Sequence, residues 1–182
     1  IIKTADNMQG VVLKGVGSDY DWSFFKSNLV EGDVFTPTDS ATTNKVVISK
    51  KIATMLNLKL GDSFAMFFIQ EPARMRKFTI CGIYETSLEE FDKTYCFCDI
   101  AHIRKLNGWS RDKISGFEIF IRDFDRLEEM TDVVRDAVGY RVNKGEENLK
   151  VTDIKSLYPQ IFDWLGFQDL NVIIILTLMI LV

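Results

Sequence analysis

From Asn171 to Val182 the chain reads Asn-Val-Ile-Ile-Ile-Leu-Thr-Leu-Met-Ile-Leu-Val, with no charge anywhere in it. No other stretch constrains the fold as much. Side chains of this kind leave water, either for a protein interior or for a bilayer. The run falls short of the roughly 20 apolar residues that a bilayer span needs. It grows more apolar toward Val182, so we expect residues 169–182 to be the start of a transmembrane helix. The alternative is a buried C-terminal strand or helix of a soluble protein.

The remainder has the composition of a folded domain. Of 182 residues, 47% are hydrophobic and 26% charged, which excludes an intrinsically disordered chain. The length suits one domain, with room for two lobes. A net charge of −4 argues against broad binding to a phosphate backbone, which needs clustered Lys and Arg.

Hydrophobic periodicity predicts an α+β fold, with mixed or antiparallel strands and short helices packed on them. Gln9–Val16 reads as a strand, Asp21–Asn28 as a short helix, Glu31–Asp33 as a turn and Thr36–Asn44 as a loop. Val46–Ile48 is a short buried strand. Ser49 is placed to cap the following helix, whose apolar stripe is Ile52, Met55 and Leu56. Asn57 stops that helix, and Gly61-Asp62 turns into a strand over Ser63–Ile69. A loop over Gln70–Arg76 leads to a strand over Lys77–Tyr84.

Thr94–Cys98 is the next strand, and Asp99 caps a helix over Ile100, Ile103 and Leu106 that Asn107-Gly108 ends. Gly116–Arg122 alternates as a strand, with Phe117, Ile119 and Ile121 on one face. Asp125, with Glu128 three residues on, predicts a capping box. That helix carries a stripe of Leu127, Met130, Val134 and Val138 and stops at Gly139. Strands are predicted over Tyr140–Asn143 and Leu149–Val151, around a charged turn at Lys144–Asn148. From Asp153 a helix places Ile154, Leu157, Ile161, Trp164 and Leu165 on one side. Pro159 inside that pattern predicts a kink or a break.

Little of this points to chemistry. Cys96 and Cys98 lie two apart on one strand, hence on one face, where they rarely bridge; with Cys81 they are expected to be buried, unpaired thiols. His102, the one histidine, has no Ser or Cys at a suggestive spacing and reads as a surface or cap residue rather than a triad member or metal ligand. Three acidic clusters (Glu89, Glu90 and Asp92; Asp123 and Asp125; Glu146 and Glu147) read as solvated loops and caps. No glycine-rich phosphate cradle is present, so ATP, if involved, is bound by another subunit or domain. The basic tip Gln70-Glu-Pro-Ala-Arg-Met-Arg-Lys77 reads as a solvated loop, with contact to a partner or lipid headgroup as the alternative. The 14 Phe suit a core better than a stacking platform. No catalytic, cofactor-binding or metal residue is singled out.

The segment Val46-Val-Ile-Ser-Lys-Lys-Ile-Ala-Thr-Met-Leu-Asn-Leu-Lys-Leu-Gly-Asp62 resembles the periplasmic core of ABC-transporter permeases of the Lol lipoprotein-releasing, MacB and FtsX group. It also resembles swapped-hairpin barrels of the AbrB type, some of which bind DNA. Phe78-Thr-Ile-Cys-Gly-Ile-Tyr84 is similar to the next permease strand, Glu89-Glu-Phe-Asp92 to the acidic turn after it, and Gly116-Phe-Glu-Ile119 to a later strand. Tyr158-x-x-Ile-Phe-x-Trp-Leu165, leading into the apolar run, resembles the approach to the second transmembrane helix of Lol permeases. The AbrB reading accounts for the first motif alone.

The permease resemblance implies an extracytoplasmic domain over residues 1–168, with a mostly-β lobe inserted at about 31–115 into a helix–strand base. It implies a first span before the domain, three spans beyond the one entered at 169–182, and a place in the bacterial inner membrane with this domain outside the cytoplasm. The implied partners are a cytoplasmic ABC ATPase subunit, a second permease chain and a lipoprotein cargo or its periplasmic carrier, with no nucleic acid. The chain itself is then no enzyme and binds no cofactor. ATP hydrolysis is expected to act through the helix of Trp164, with Pro159 as an elbow. Lol permeases that recruit the carrier use an extended hairpin hook. The short Gln70–Arg76 loop departs from that pattern and puts direct carrier docking in doubt. Efflux or signalling permeases, and a membrane-tethered interaction domain without transport, remain the alternatives.

Overall fold

The computed structural model describes residues 1–4, 7–38, 41–142 and 149–181. The chain divides into two compact units, Ile1–Ile114 and Ser115–Val182. Together they are a mixed α+β protein.

The first unit is built on two five-residue strands that run straight into helices. β5 (Lys45–Ser49) leads into α2 (Lys50–Leu56), and β8 (Tyr95–Asp99) into α4 (Ile100–Asn107). The two strands pair antiparallel, Val47 opposite Phe97. Both are covered on both sides, which is why they read as unbroken apolar runs rather than as alternation. Val46, Ile48, Cys96 and Cys98 enter one core with Ile52 and Leu56 of α2. Val47 and Phe97 enter a second, aromatic core with Trp22, Phe25, Phe35 and Tyr84. Trp22 and Phe35 meet edge-to-face with centroids 5.2 Å apart, and Phe25 lies 4.4 Å from Phe97. Such pairs add about 0.5–1.5 kcal/mol beyond burial.

Around this pair, β1 (Ile2–Lys3), β2 (Met8–Gln9), β3 (Val12–Val16), β4 (Leu29–Gly32), β6 (Ser63–Phe68) and β7 (Arg74–Tyr84) complete an eight-stranded sheet. Its order is β2-β1-β6-β7-β5-β8-β3, with β4 also on β7. The β3–β8 and β5–β7 pairs are parallel, the others antiparallel. The helix α1 (Ser23–Ser27) buries Phe25, and α3 (Glu89–Thr94) precedes β8.

Caps and stops fall where the side chains dictate. Ser49 accepts from the Ile52 amide, and Asp99 from the Ala101 amide. Asn57 (φ 54°) and Gly108 (φ 64°) end α2 and α4 in the left-handed region, the common way to close a helix. In α2 the inward residue beside Ile52 and Leu56 is Ala53, whereas Met55 points out.

Within the expected turn at Glu31–Asp33, Glu31 and Gly32 are instead the end of β4, paired with Ile83 and Gly82 of β7. The local Gly-Asp signal is overridden by an open β7 edge. β7 itself begins at Arg74 rather than Lys77, which shortens the expected loop to residues 69–73.

In the second unit the expected strand over Gly116–Arg122 does not form. Among the described residues no strand pairs with it, and alternation without a ladder partner is not a strand. Asp123, not Asp125, is the cap. It accepts from the Asp125 amide at the start of a 3₁₀ turn over Phe124–Arg126. α5 (Leu127–Val142) follows and keeps its least exposed side along Leu127, Met130, Val134 and Val138. It passes through Gly139, so residues 140–142 are helical rather than a strand. The predicted turn at Lys144–Asn148, with Asn143, lies outside the described residues. Leu149–Val151 is not a strand. Asp153 caps α6 (Ile154–Leu157), and Pro159 opens α7 (Pro159–Leu181). The proline thus makes a break. It sits at the first helical position, where its missing N–H costs nothing.

Candidate functional site

β2 and β3 are the two ends of the sheet, yet only Gly10 and Val11 separate them in the chain. The three steps from Gln9 to Val12 reach at most about 11 Å, so the sheet must curl until its edges approach each other. The seam left open is an apolar cleft of about 590 Å³. Val11, Val12 and Leu13 form one wall, Phe67, Phe68 and Ile69 the other, and Ile103 and Leu106 of α4 close the back. Gln70, Thr94 and Asn107 are the polar side chains on it.

The helix α4 can lie this close to β3 because of Gly15. A Cβ there would come within 2.6 Å of Ile103 Cγ1 and 2.9 Å of the Ile100 Cα. No sequence reading singled out the cleft. It exists only once strands 50 residues apart are brought together, and the apolar residues at 11–13 looked like ordinary strand residues.

The basic tip is structural as well as exposed. Arg74 Nη1 donates to the carbonyls of Lys105 and Leu106, 2.9 Å each, and so satisfies the orphan end of α4. Arg76 Nη1 donates to its neighbour Met75. Both arginines belong to β7, and residues 69–73 make the tip, with a cis bond before Pro72.

His102 is buried, not a surface or cap residue. Its Nε2 lies 2.9 Å from the Thr43 carbonyl and its Nδ1 has no partner. A carbonyl accepts, so Nε2 carries the proton and donates. Burial, with Arg76 and Lys105 nearby, holds the imidazole pKa below its ordinary 6.5 despite the Thr43 bond and Asp99. Asp99 Oδ2 accepts from the Thr43 amide. The pair Asp99 and His102 therefore clips the 41–44 stretch onto the β8–α4 junction.

The acidic cluster at 89–92 divides. Asp92 is 5% exposed rather than solvated, and its carboxylate takes the Thr86 amide and hydroxyl. The Ser49 hydroxyl donates to the Asp92 carbonyl, tying the β5–α2 junction to α3. Glu89 stays on the surface, pairs with Lys51 and Lys93, and so keeps a lowered pKa. Asp123 is a cap, as described above, and Glu146 and Glu147 lie outside the described residues.

Cys81, Cys96 and Cys98 are free thiols. Burial pushes Cys81 up to about 11 and Cys96 up to about 12. Among the described residues no group of three or more His, Cys, Asp or Glu is placed to hold a metal ion.

In the second unit, α7 is the functional candidate. Its 23 residues are about 34 Å long at 1.5 Å per residue. One window, Pro159–Ile180, is long and apolar enough to cross a membrane, and none of its residues is buried. Ile161, Trp164 and Leu165 of the expected stripe are exposed. The residue that packs is Phe162, stacked on Phe124 with centroids 5.8 Å apart. Compared with known proteins, the chain matches no family model and no curated protein sequence.

Proposed function

We propose that this chain is the extracytoplasmic domain of an ABC-transporter permease subunit of the Lol, MacB and FtsX type, with lipoprotein release as the leading activity. The observation that carries the reading is α7. A folded α+β unit shares one chain with a helix apolar enough to cross a membrane, unburied along its length. The resemblance adds order to this. Its first motif runs from Val46 in β5 through α2 to the Gly61-Asp62 turn that precedes β6, and the second lies within β7.

In this reading the chain does no bond chemistry. A cytoplasmic ATPase subunit hydrolyses ATP, and α7 passes the movement outward to the domain. The break at Tyr158-Pro159 is the elbow. A second permease chain completes the transporter in the bacterial inner membrane, with this domain on the outer side.

The short 69–73 connection favours a second reading within the class. Without an extended hairpin, docking of a periplasmic carrier is not expected of this chain. It then serves as the partner permease of a heterodimer, or in efflux or signalling.

The experiment is purification of the full-length protein from its native membranes in detergent, with mass spectrometry of its companions. An ATPase subunit together with acylated lipoproteins is expected. An ATPase without lipoproteins moves the cargo to efflux or signalling. A protein recovered from the soluble fraction with no ATPase overturns the reading.

A further inference from the structure

One side of the sheet is covered over only part of its width. Trp22, Phe25 and Phe35 pack with Val47, Phe97 and Tyr84, and Cys81 lies against that cluster. Thr79, Lys77 and Met75 follow Cys81 at alternate positions of β7, hence on the same side. There the cover ends and the side chains of β7, β6, β1 and β2 meet solvent. The register fixes which ones, since partners across a ladder share a face. Met8, Lys3, Ala65 and Lys77 form one row across four strands. Phe67 and Met75 pair in the row beside it, and Ser63, Thr79 and Lys45 make the row on its other side. The alternate residues Phe64, Met66 and Phe78 point the other way, into the core.

Met8, Phe67 and Met75 are 67%, 41% and 54% exposed. Three lysines frame them, and none of Lys3, Lys45 and Lys77 forms a salt bridge among the described residues. β1, β2, β6 and β7 contain no acidic residue, in a chain of net charge −4. Glu71 belongs to the tip, and at the opposite end Asp62 and Asp33 are turned onto the Lys59 and Val34 amides. This composition selects an occupant. Protein interfaces are depleted in lysine, and three lysines on an acidic chain are too few for a nucleic-acid backbone. Exposed Met and Phe framed by lysine suit the boundary of an anionic bilayer. The apolar groups enter the acyl edge, and the long lysine side chains reach back to the phosphates. The same chain carries α7, apolar enough to cross a membrane, and so brings the domain to such a surface.

We propose that this face rests on the surface of an anionic lipid bilayer, with Met8, Phe67 and Met75 at the acyl boundary and Lys3, Lys45 and Lys77 among the phosphates. Three lysines and three apolar side chains hold too weakly to keep a free domain on a vesicle. Tethering by α7 raises the local lipid concentration and makes the contact effectively intramolecular. The inference uses α7 as the anchor and does not depend on the transporter assignment.

Fluorescence quenching of the full chain in vesicles tests this. A thiol-reactive fluorophore is placed on the Met75→Cys variant or, as control, on Met55→Cys, since Met55 lies on α2 across the sheet. The unaltered chain, with its own three thiols, is the background. Each labelled chain is floated with phosphatidylcholine vesicles, with or without phosphatidylglycerol, that carry a nitroxide near the lipid headgroup. Phosphatidylglycerol is expected to raise quenching at position 75 about threefold and to leave position 55 unchanged. Raising the salt is expected to reverse the gain without any substitution. Adding Lys3→Glu and Lys77→Glu, both at exposed positions, is expected to abolish it. Equal quenching at 75 and 55 in phosphatidylglycerol vesicles overturns the proposal, as does a gain at 75 that survives both salt and the two glutamates. Protection of the 75 label that follows chain concentration rather than lipid charge gives the face to a second protein chain and also overturns it. None of these failures touches the transporter reading, which rests on α7 and its companions.

Discussion

At the scale of single residues, side chains that looked like candidate chemistry are spent on holding loops to junctions. His102 donates to Thr43 and sits edge-on to Phe78, with centroids 5.0 Å apart. Its pKa is held below 6.5, mainly by burial. The unfolded chain therefore takes up a proton before the folded one does. The stabilisation is complete above about pH 6.5 and is lost as pH falls through the lower folded value. The melting temperature is expected to drop between pH 7.5 and 5.5 by more than in the His102→Asn variant; equal slopes would remove His102 as the cause.

Cys81 makes a second prediction. With its pKa raised from 9.0 to about 11, it carries ~100-fold less thiolate at neutral pH than an ordinary cysteine. In the native protein it is expected to alkylate about that much more slowly than a free thiol, with Cys96 and Cys98 labelled only after unfolding. Gly15 makes a third. Gly15→Ala places a methyl group against Ile103 and the α4 backbone and should cost about 1–3 kcal/mol in urea denaturation. A neutral result would mean that α4 can draw back from β3.

At the scale of elements, the two strand–helix junctions carry the fold. Ser49 and Asp99 are each a helix cap and a tie to a distant segment, one to Asp92 and the other to Thr43. Asp99→Ala removes both roles in one step and leaves the half-buried Thr43 amide without its carboxylate partner. A loss of about 1–3 kcal/mol is expected. It should exceed the effect of Asp153→Ala, whose cap on α6 lies at the surface. Equal losses would mean that the Thr43 tie contributes nothing.

The junctions were legible because a cap is a local event: the serine or aspartate, the turn it closes and the residue that stops the helix lie close together in the chain. β4 and the segment 116–122 were misread for the opposite reason. Whether a stretch becomes a strand depends on an edge presented from elsewhere. β7 offers one to residues 29–32, and nothing described offers one to 116–122.

At the scale of the whole molecule, the organisation is a folded α+β unit and, in the same chain, a long apolar helix. The full chain is expected to float with lipid vesicles on a density gradient, and a chain ended at Tyr158 to remain in the soluble fraction. If the shortened chain floats equally well, α7 is not the membrane element and the transporter reading loses its main support.

The sequence alone determined the α+β class, the buried strands at Val46–Ile48 and Thr94–Cys98, the caps Ser49 and Asp99, the helix stops at Asn57 and Gly108, and the apolar character of the C-terminal helix. Each of these rests on residues within a few positions of one another, where propensity, capping and periodicity act. Only the tertiary structure decided that His102 and Asp92 are buried, that Arg74 closes α4, and that the sheet curls into a seam with an apolar cleft. Those depend on contacts between residues from about 30 to nearly 100 positions apart in the chain. No local pattern encodes them, because they follow from which strand edges meet.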